Sequence, residues 1–143
     1  MKNKTRGFRG YIGSRSYDGC DFTQHVQNLL IRNYCQKYQM KYLLSATEYT
    51  MPGCYMMMEE VLNSSNSIDG IVLFSIFMLP KSVQKRERIY QKILSAGLSL
   101  HAALEDLSIH TAVDIQGIED ILNLNKIAMM ESAIQELENF FVA

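Results

Sequence analysis

The stretch Ile71-Val72-Leu73-Phe74 is an unbroken apolar run that starts after Asp69-Gly70 and stops at Ser75. Four apolar residues in succession, bounded by turn-forming and polar residues, are typical of a β-strand whose two faces are both covered. Such strands belong to parallel sheets, because the crossover helices of a parallel sheet cover its faces. The sequence therefore predicts that this run forms the centre of a parallel sheet.

Two strand–helix pairs precede the central run. The first is the short strand Gly10-Tyr11-Ile12-Gly13 followed by a helix that is predicted to begin at Asp21, with Gln24 at the spacing of a capping box. The second is a strand over residues 41–45, a loop over residues 46–53 and a helix that begins at about residue 53. The methionines of this second helix are interpreted as adaptable core.

A third pair and a further strand follow the central run. Ser82 is the predicted N-cap of a helix that ends at Gly97, and residues 98–104 form the next strand. Alternation of strands and helices indicates βαβ units with right-handed crossovers. We therefore expect the α/β class: a three-layer sandwich with a four- to five-stranded, mainly parallel sheet and a C-terminal amphipathic helix.

The terminal helix is predicted over residues 124–141, after a short helix capped by Asp114. Its apolar side chains recur at intervals of three and four residues, which describes one stripe along a helix. They are Ile127, Met130, Ile134, Leu137 and Phe141. The stripe is expected to be buried either against the chain's own sheet or against a partner subunit, in which case residues 124–141 are an oligomer interface.

The bulk composition describes one domain over residues 1–143, with residues 1–9 as a basic flexible arm. The chain shows no signal peptide and no apolar run of about 20 residues, so a cytoplasmic location is expected. The chain has fourteen Lys and Arg residues and fifteen Asp and Glu residues, and this near-neutral net charge argues against a nucleic-acid partner. Three widely spaced cysteines indicate neither a disulfide framework nor a metal site.

Candidate ligand-binding residues follow the predicted strands, since ligands of open parallel sheets bind beyond the carboxyl ends of the strands. Ser14-Arg15-Ser16 lies between the first strand and a helix N-terminus, which suits a phosphate or carboxylate. The alternative is a polar turn with a surface arginine. The remaining candidates are Gln24, Gln27, Lys81 and Glu105. Gln24 and Gln27 also fit a polar strip that faces solvent.

Candidate catalytic residues are Glu48, Tyr49 and Cys54. Cys54 is predicted at a helix N-terminus, where the helix dipole lowers the pKa of a thiol, although a small buried residue is the alternative. The loops that leave the first two strands are expected to meet around a polar hollow lined by Arg15 and Glu48. Glu48 and Glu105 would form a carboxylate pair only if the loops after the second and fourth strands converge.

Five segments resemble the sporadic carbohydrate cluster proteins, small bacterial proteins encoded among polysaccharide-biosynthesis genes. The resemblance covers about residues 10–106, and its most specific block is Met51-Pro52-Gly53-Cys54-Tyr55-Met56. The other segments are Gly10-Tyr11-Ile12, His25-Val26-Gln27-Asn28-Leu29, Tyr42-Leu43-Leu44-Ser45-Ala46-Thr47-Glu48-Tyr49 and Ser67-Ile68-Asp69-Gly70-Ile71-Val72.

The order of elements is also similar to the catalytic domain of serine recombinases, which implies a resolvase-like fold and an oligomerising last helix. The Tyr-x-Arg-x-Ser motif of that family is out of register here, where Tyr11 precedes Ile12-Gly13-Ser14-Arg15-Ser16. Its Asp-Arg-Leu-Gly-Arg motif corresponds to Phe77-Met78-Leu79-Pro80-Lys81. Loss of the arginines that neutralise the scissile phosphate argues against DNA cleavage.

The first resemblance implies an enzyme of surface-polysaccharide or sugar-nucleotide biosynthesis that binds a phosphorylated or nucleotide-linked sugar. The alternative is a non-catalytic scaffold or regulatory partner of such an enzyme. A degenerate recombinase-like DNA-binding protein is the third interpretation. A homo-oligomer, either a dimer or a tetramer, is expected, and the sequence assigns no cofactor.

Overall fold

The structure is a computed structural model that describes residues 6–14, 22–48 and 55–142. Its strands and helices follow one another in the order predicted for an α/β domain. They are β1 (Phe8–Gly13), α1 (Gln24–Lys37), β2 (Tyr42–Glu48), α2 (Met56–Asn63), β3 (Gly70–Leu73), α3 (Val83–Ser95), β4 (Ser99–Ala102), β5 (Leu107–Ile109) and α4 (Ala112–Val142). Two short 3-10 turns, Ser65–Ser67 and Ile76–Met78, flank β3.

The five strands form one sheet in the order β2-β1-β3-β4-β5. The first four run parallel, and β5 pairs antiparallel with β4. Every residue of β3 is buried, which confirms the central position predicted for this apolar run. The fold class is therefore confirmed, and β5 is the fifth strand that the element-by-element prediction lacked.

Helices lie on both faces of this sheet. Tyr11, Leu73 and Ala102 lie in one row of the strand register, so they share a face, and His101 points to the other face. A hydrogen bond from Tyr11 to Glu48, which in turn accepts from α2, places α2 on the Tyr11 face. A hydrogen bond between Tyr34 and His101 places α1 on the opposite face. This arrangement is the expected three-layer sandwich.

Both predicted boundaries of α3 agree with the structure, whereas the predicted start of α1 does not. Ser82 is the N-cap of α3 and accepts a hydrogen bond from the Lys85 amide, and Gly97 follows the helix with φ 71°. Both predictions are confirmed. The start of α1 was predicted wrongly: Thr23, and not Asp21, is its N-cap, accepting from the Val26 amide at 3.3 Å. Asp21 itself lies outside the described residues.

Strand β2 extends further than predicted, through Glu48 instead of residue 45. Residues 46–48 were predicted as loop, but Ala46 pairs with Tyr11 and Glu48 pairs with Gly13. The polar residues Thr47 and Glu48 obscured this, since a strand signal rests on apolar alternation. Helix α2 begins at Met56, about three residues later than predicted.

Helix α4 is one continuous helix of 31 residues, and not a short helix followed by a terminal one. At 1.5 Å per residue it is about 46 Å long, roughly twice the span of the longest strand. Its predicted stripe is consequently solvent-exposed: Ile127 is 45% exposed and Phe141 is 79% exposed. The prediction that the stripe covers the chain's own sheet is therefore wrong. Neither α4 nor any other helix among the described residues is long and apolar enough to cross a membrane.

Candidate functional site

Glu48 ends β2 and is completely buried. Its carboxylate accepts a hydrogen bond of 2.7 Å from the Tyr11 hydroxyl and others of 3.1 and 3.2 Å from the Met57 and Met58 amides. A carboxylate at the first turn of a helix satisfies free N–H groups and interacts favourably with the helix dipole. The prediction that Glu48 lines an open polar hollow is therefore wrong, because its carboxylate is enclosed between β1 and the start of α2.

Ser14 lies at the end of β1 and is exposed. Its amide and its hydroxyl both donate to the backbone carbonyl of Glu48, at 3.0 and 3.2 Å, so the ends of β1 and β2 are joined. The two strand ends therefore lie side by side, as the expected meeting of the loops that leave them requires. Four other candidates, namely Arg15, Ser16, Tyr49 and Cys54, lie outside the described residues, and their site roles stay predictions.

Gln27 is an internal clamp rather than a ligand-binding or solvent-facing residue. Its amide nitrogen donates to the carbonyls of Gly13 and Phe22, at 2.8 and 2.9 Å, and its amide oxygen accepts from the Gly13 amide at 2.9 Å. The side chain is 1% exposed. It supplies the hydrogen bonds that the last residue of β1 needs, and it holds α1 against that strand. Gln24, three residues earlier, is exposed at the first position of α1.

Glu105 has a similar structural role at the other side of the sheet. It accepts from the Ser75 hydroxyl at 2.6 Å and from the Ile76 amide at 3.0 Å, so it caps the 3-10 turn after β3. Strands β2 and β4 are separated by β1 and β3, which corresponds to about 14 Å at the usual strand spacing. A carboxylate pair between Glu48 and Glu105 is therefore not formed.

A row of cations lies along α3 and just before it, and of these only Lys81 is among the residues predicted to bind a ligand. Lys85, Arg88 and Lys92 recur at intervals of three and four residues, which places them on one side of α3, and Lys81 lies just before the N-cap of that helix. All four are exposed, and the ion pairs found within the described parts of the chain involve none of them. We call these four residues the cationic stripe; its helical part, from Lys85 to Lys92, is about 10 Å long at 1.5 Å per residue.

Arg86 lies on the buried side of the same helix and is 8% exposed. Its guanidinium donates to both carboxylate oxygens of Glu119 on α4 and to the carbonyls of Pro80 and Lys81. The hydrogen bonds from Arg86 to Glu119 raise the pKa of Arg86 further above its usual value. These contacts fix the start of the cationic stripe relative to α4. Lys81 contributes its carbonyl to this cluster, while its side chain is exposed.

A groove of about 870 Å³ runs between the start of α3 and α4. Its apolar walls include Phe77, Leu79, Val83, Ile115 and Met130. Met130 also belongs to the exposed stripe of α4, so the groove and the stripe form one continuous apolar surface. Among the described residues, no group of three or more His, Cys, Asp and Glu side chains is placed to hold a metal ion.

Comparison with known proteins defines the fold further. No family model matches the sequence, and no curated protein matches it. Among solved structures, the chain is similar to the N-terminal catalytic domain of TP901-1 integrase, with a TM-score of 0.61, 13% identity and coverage of 85% of this chain and 97% of that one. It is also similar to a resolvase family site-specific recombinase from Streptococcus pneumoniae, with a TM-score of 0.61, 11% identity and coverage of 92% and 99%.

The chain therefore has the fold of recombinase catalytic domains, and the resolvase-like resemblance is confirmed at the level of fold. The likeness to sporadic carbohydrate cluster proteins is not supported. The expected role in polysaccharide or sugar-nucleotide biosynthesis, as an enzyme or as a scaffold, is contradicted by these recombinase neighbours, and so is the phosphorylated or nucleotide-linked sugar as its partner. The argument against nucleic acid is also contradicted. It used the charge summed over the whole chain, whereas four exposed cations are concentrated along α3 and just before it.

Proposed function

We propose that this chain is a recombinase-like DNA-binding protein that holds duplex DNA by its phosphates and does not cut it. The cationic stripe of α3 is the observation that carries the proposal. The two structural neighbours, an integrase catalytic domain and a site-specific recombinase, support DNA as the class of ligand. DNA binding is compatible with the cytoplasm, which we propose as the location of this chain.

The geometry of the cationic stripe suits a phosphate backbone. Side chains three and four residues apart on a helix are about 5–6 Å from one another, and each DNA strand presents a phosphate about every 3.4 Å along the helix axis. Exposed Gln84, Gln91 and Ser95 lie beside the cations and provide neutral donors of the kind that bind phosphate oxygens. Screening at physiological salt limits interactions between exposed charges to about 8 Å, so a phosphate at this surface interacts mainly with the nearby cations. The net charge of −1 therefore does not prevent binding at this surface.

The segment after β3 supports binding without cleavage. It is the segment that corresponds to the Asp-Arg-Leu-Gly-Arg motif, and here Met78 and Leu79 are buried. Arg86 is the first arginine that follows β3 in the chain. Its guanidinium is engaged by Glu119 and two carbonyls, so it is not available to neutralise a phosphate.

The terminal helix supports a dimer. Ile127, Ile134 and Phe141 fall at one position of a seven-residue repeat, and Met130 and Leu137 fall at the complementary apolar position. These are the a and d positions of a coiled coil, and a second copy of the chain presents the same repeat. We therefore propose residues 124–141 as the oligomer interface. A dimer would carry two cationic stripes, and joining two binding surfaces strengthens binding through effective concentration.

The proposal is tested by fluorescence anisotropy of a labelled DNA duplex with two double variants of equal charge. Lys85→Gln/Lys92→Gln removes two cations of the stripe, and Lys41→Gln/Lys126→Gln removes two exposed cations elsewhere. The stripe variant is expected to bind at least about tenfold more weakly, while the matched control binds like the wild type. Equal losses in both variants would contradict a localised interface. Supercoiled plasmid incubated with the wild type is expected to stay intact, and nicking would contradict the non-cleaving role.

A further inference from the structure

A second hollow lies on the face of the sheet that α1 covers, beside β4 and β5. Its volume is about 330 Å³, and aromatic rings form much of its wall. Tyr34 and Tyr38 come from the end of α1, and their ring centroids are 4.7 Å apart. His101 of β4 lies 5.3 Å from His110 and 5.4 Å from Phe8, measured between ring centroids. The Tyr34 and His101 centroids are 5.6 Å apart, so the five rings form one connected aromatic wall.

One carboxylate belongs to this wall. Asp106 lies in the turn between β4 and β5, and it accepts a hydrogen bond of 2.5 Å from the Tyr38 hydroxyl. Its second oxygen lies 3.1 Å from the Lys37 ammonium. The hydrogen bonds from Tyr38 and Lys37 hold the pKa of Asp106 below its usual value, so the group is ionised at neutral pH. The hollow thus combines electron-rich ring faces with one negative charge.

The contacts of Lys37 show that the Asp106 carboxylate and the Tyr38 ring together bind an ammonium group. Besides its contact with Asp106, its ammonium nitrogen lies 5.2 Å from the centroid of the Tyr38 ring. An ammonium group over an aromatic face, within about 6 Å of the centroid, is the geometry of a cation–π interaction. The Lys37 side chain is 59% exposed. Because a lysine has a flexible four-carbon stem, its ammonium can move away and another cation can take its place at Asp106 and Tyr38.

We propose that this hollow binds a small free alkylammonium ion, whose charged group replaces the Lys37 ammonium at Asp106 and Tyr38. The volume is near the lower end of the range of about 300–1,000 Å³ for ligand sites, which favours a small ligand. The alkyl groups would contact Phe8 and Met40. His101 does not oppose the cation, because burial lowers its pKa to about 4 and leaves it uncharged at neutral pH. This inference does not depend on DNA binding.

Titration with tetramethylammonium and with choline, followed by NMR of the Ser108 and His110 amides, tests this inference in the wild-type chain. The uncharged isostere of choline, in which carbon replaces nitrogen, is the control for apolar burial. We expect both cations to shift these signals and the isostere to bind more weakly by about fivefold or more. Equal binding of the isostere would overturn the proposal.

A peptide with trimethyl-lysine distinguishes a free ligand from a protein ligand, since it presents the same charged group. Binding no tighter than that of choline is expected. Clearly tighter binding would overturn the assignment to a small free ion.

Two variants give opposite expectations and therefore separate a binding role from a structural one. Asp106→Asn should weaken choline binding by about fivefold, the value of one charge pair near 4 Å in water. Lys37→Met should strengthen it by a similar factor of about five, because the competing ammonium is gone. Lys126→Met is the matched control and should leave the affinity unchanged. A Lys37→Met variant that binds no more tightly than the wild type would contradict the proposal, as would an unaffected Asp106→Asn variant.

Discussion

The guanidinium of Arg86 donates to both oxygens of the Glu119 carboxylate, with a shortest nitrogen–oxygen distance of 2.8 Å. The third nitrogen of the same group donates to the carbonyls of Pro80 and Lys81. Arg86 thus connects three parts of the chain: the segment after β3, the first turn of α3 and the start of α4. This side chain therefore joins the cationic stripe to the terminal helix, which carry the two proposed interactions.

Glu119→Gln is expected to lower the free energy of unfolding by about 2 kcal/mol, since it removes the charge that the largely buried Arg86 requires. Chemical denaturation measures the change. Glu87→Gln is the matched control, because Glu87 is exposed on α3 and lacks this contact. Equal stability of the two variants would show that the ion pair does not hold α3 to α4.

Glu48→Gln is expected to cost about 2 kcal/mol, because it weakens the charged hydrogen bonds to the Tyr11 hydroxyl and to two α2 amides. Hydrogen exchange at Met57 and Met58 should become faster, which reports the loosened start of α2. Glu60→Gln, at an exposed position of the same helix, is the control. Unchanged exchange in Glu48→Gln would contradict the capping role.

Acid is expected to destabilise the fold through His101. Its pKa falls from 6.5 to about 4 because burial disfavours the charged ring, so between these values the unfolded chain binds a proton that the folded chain does not. Stability therefore decreases as pH falls through this window, by about 2–3 kcal/mol from this group. In denaturation curves measured across the window, His101→Gln should reduce the dependence on pH. An identical pH dependence in His101→Gln and wild type would contradict this account.

The sequence predicted the elements whose signals are local. The apolar run of β3, the Ser82 cap and Gly97 each act within a few residues, and the structure confirms all three. The main error concerned the roles predicted for buried polar residues. Gln27 and Glu48 looked like site residues because polar side chains are usually exposed. Gln27 instead pairs with backbone groups, and Glu48 pairs with two α2 amides and the Tyr11 hydroxyl, all of which only the packing of the fold brings near. Such partners cannot be predicted from spacing along the chain.

The cationic stripe was detectable and was missed for another reason. Its spacing of four, three and four residues is as regular as the apolar spacing of α3, but the prediction rested on the apolar residues and on the charge summed over the chain. The exposure of the α4 stripe, by contrast, could be established only from the structure. Its exposure results from a helix about twice as long as the sheet, and this length became apparent only when the two predicted helices proved to be one.

Ile134→Glu is expected to produce a monomer, since it places a charge at the centre of the proposed coiled-coil interface. Sedimentation velocity measures the change in mass. Met129→Glu alters α4 outside the a and d positions and should leave the wild-type dimer intact. A wild-type chain that sediments as a monomer, or a dimer that survives Ile134→Glu, would contradict the interface.

The dependence of DNA affinity on salt tests the central claim most directly. Each phosphate contact contributes about 0.9 to the slope of log affinity against log salt concentration. The double variant Lys85→Gln/Lys92→Gln is therefore expected to have a slope smaller than that of the wild type by about 1.8. Parallel lines for the two proteins, or wild-type binding that does not weaken as salt rises, would contradict DNA binding through the cationic stripe of α3.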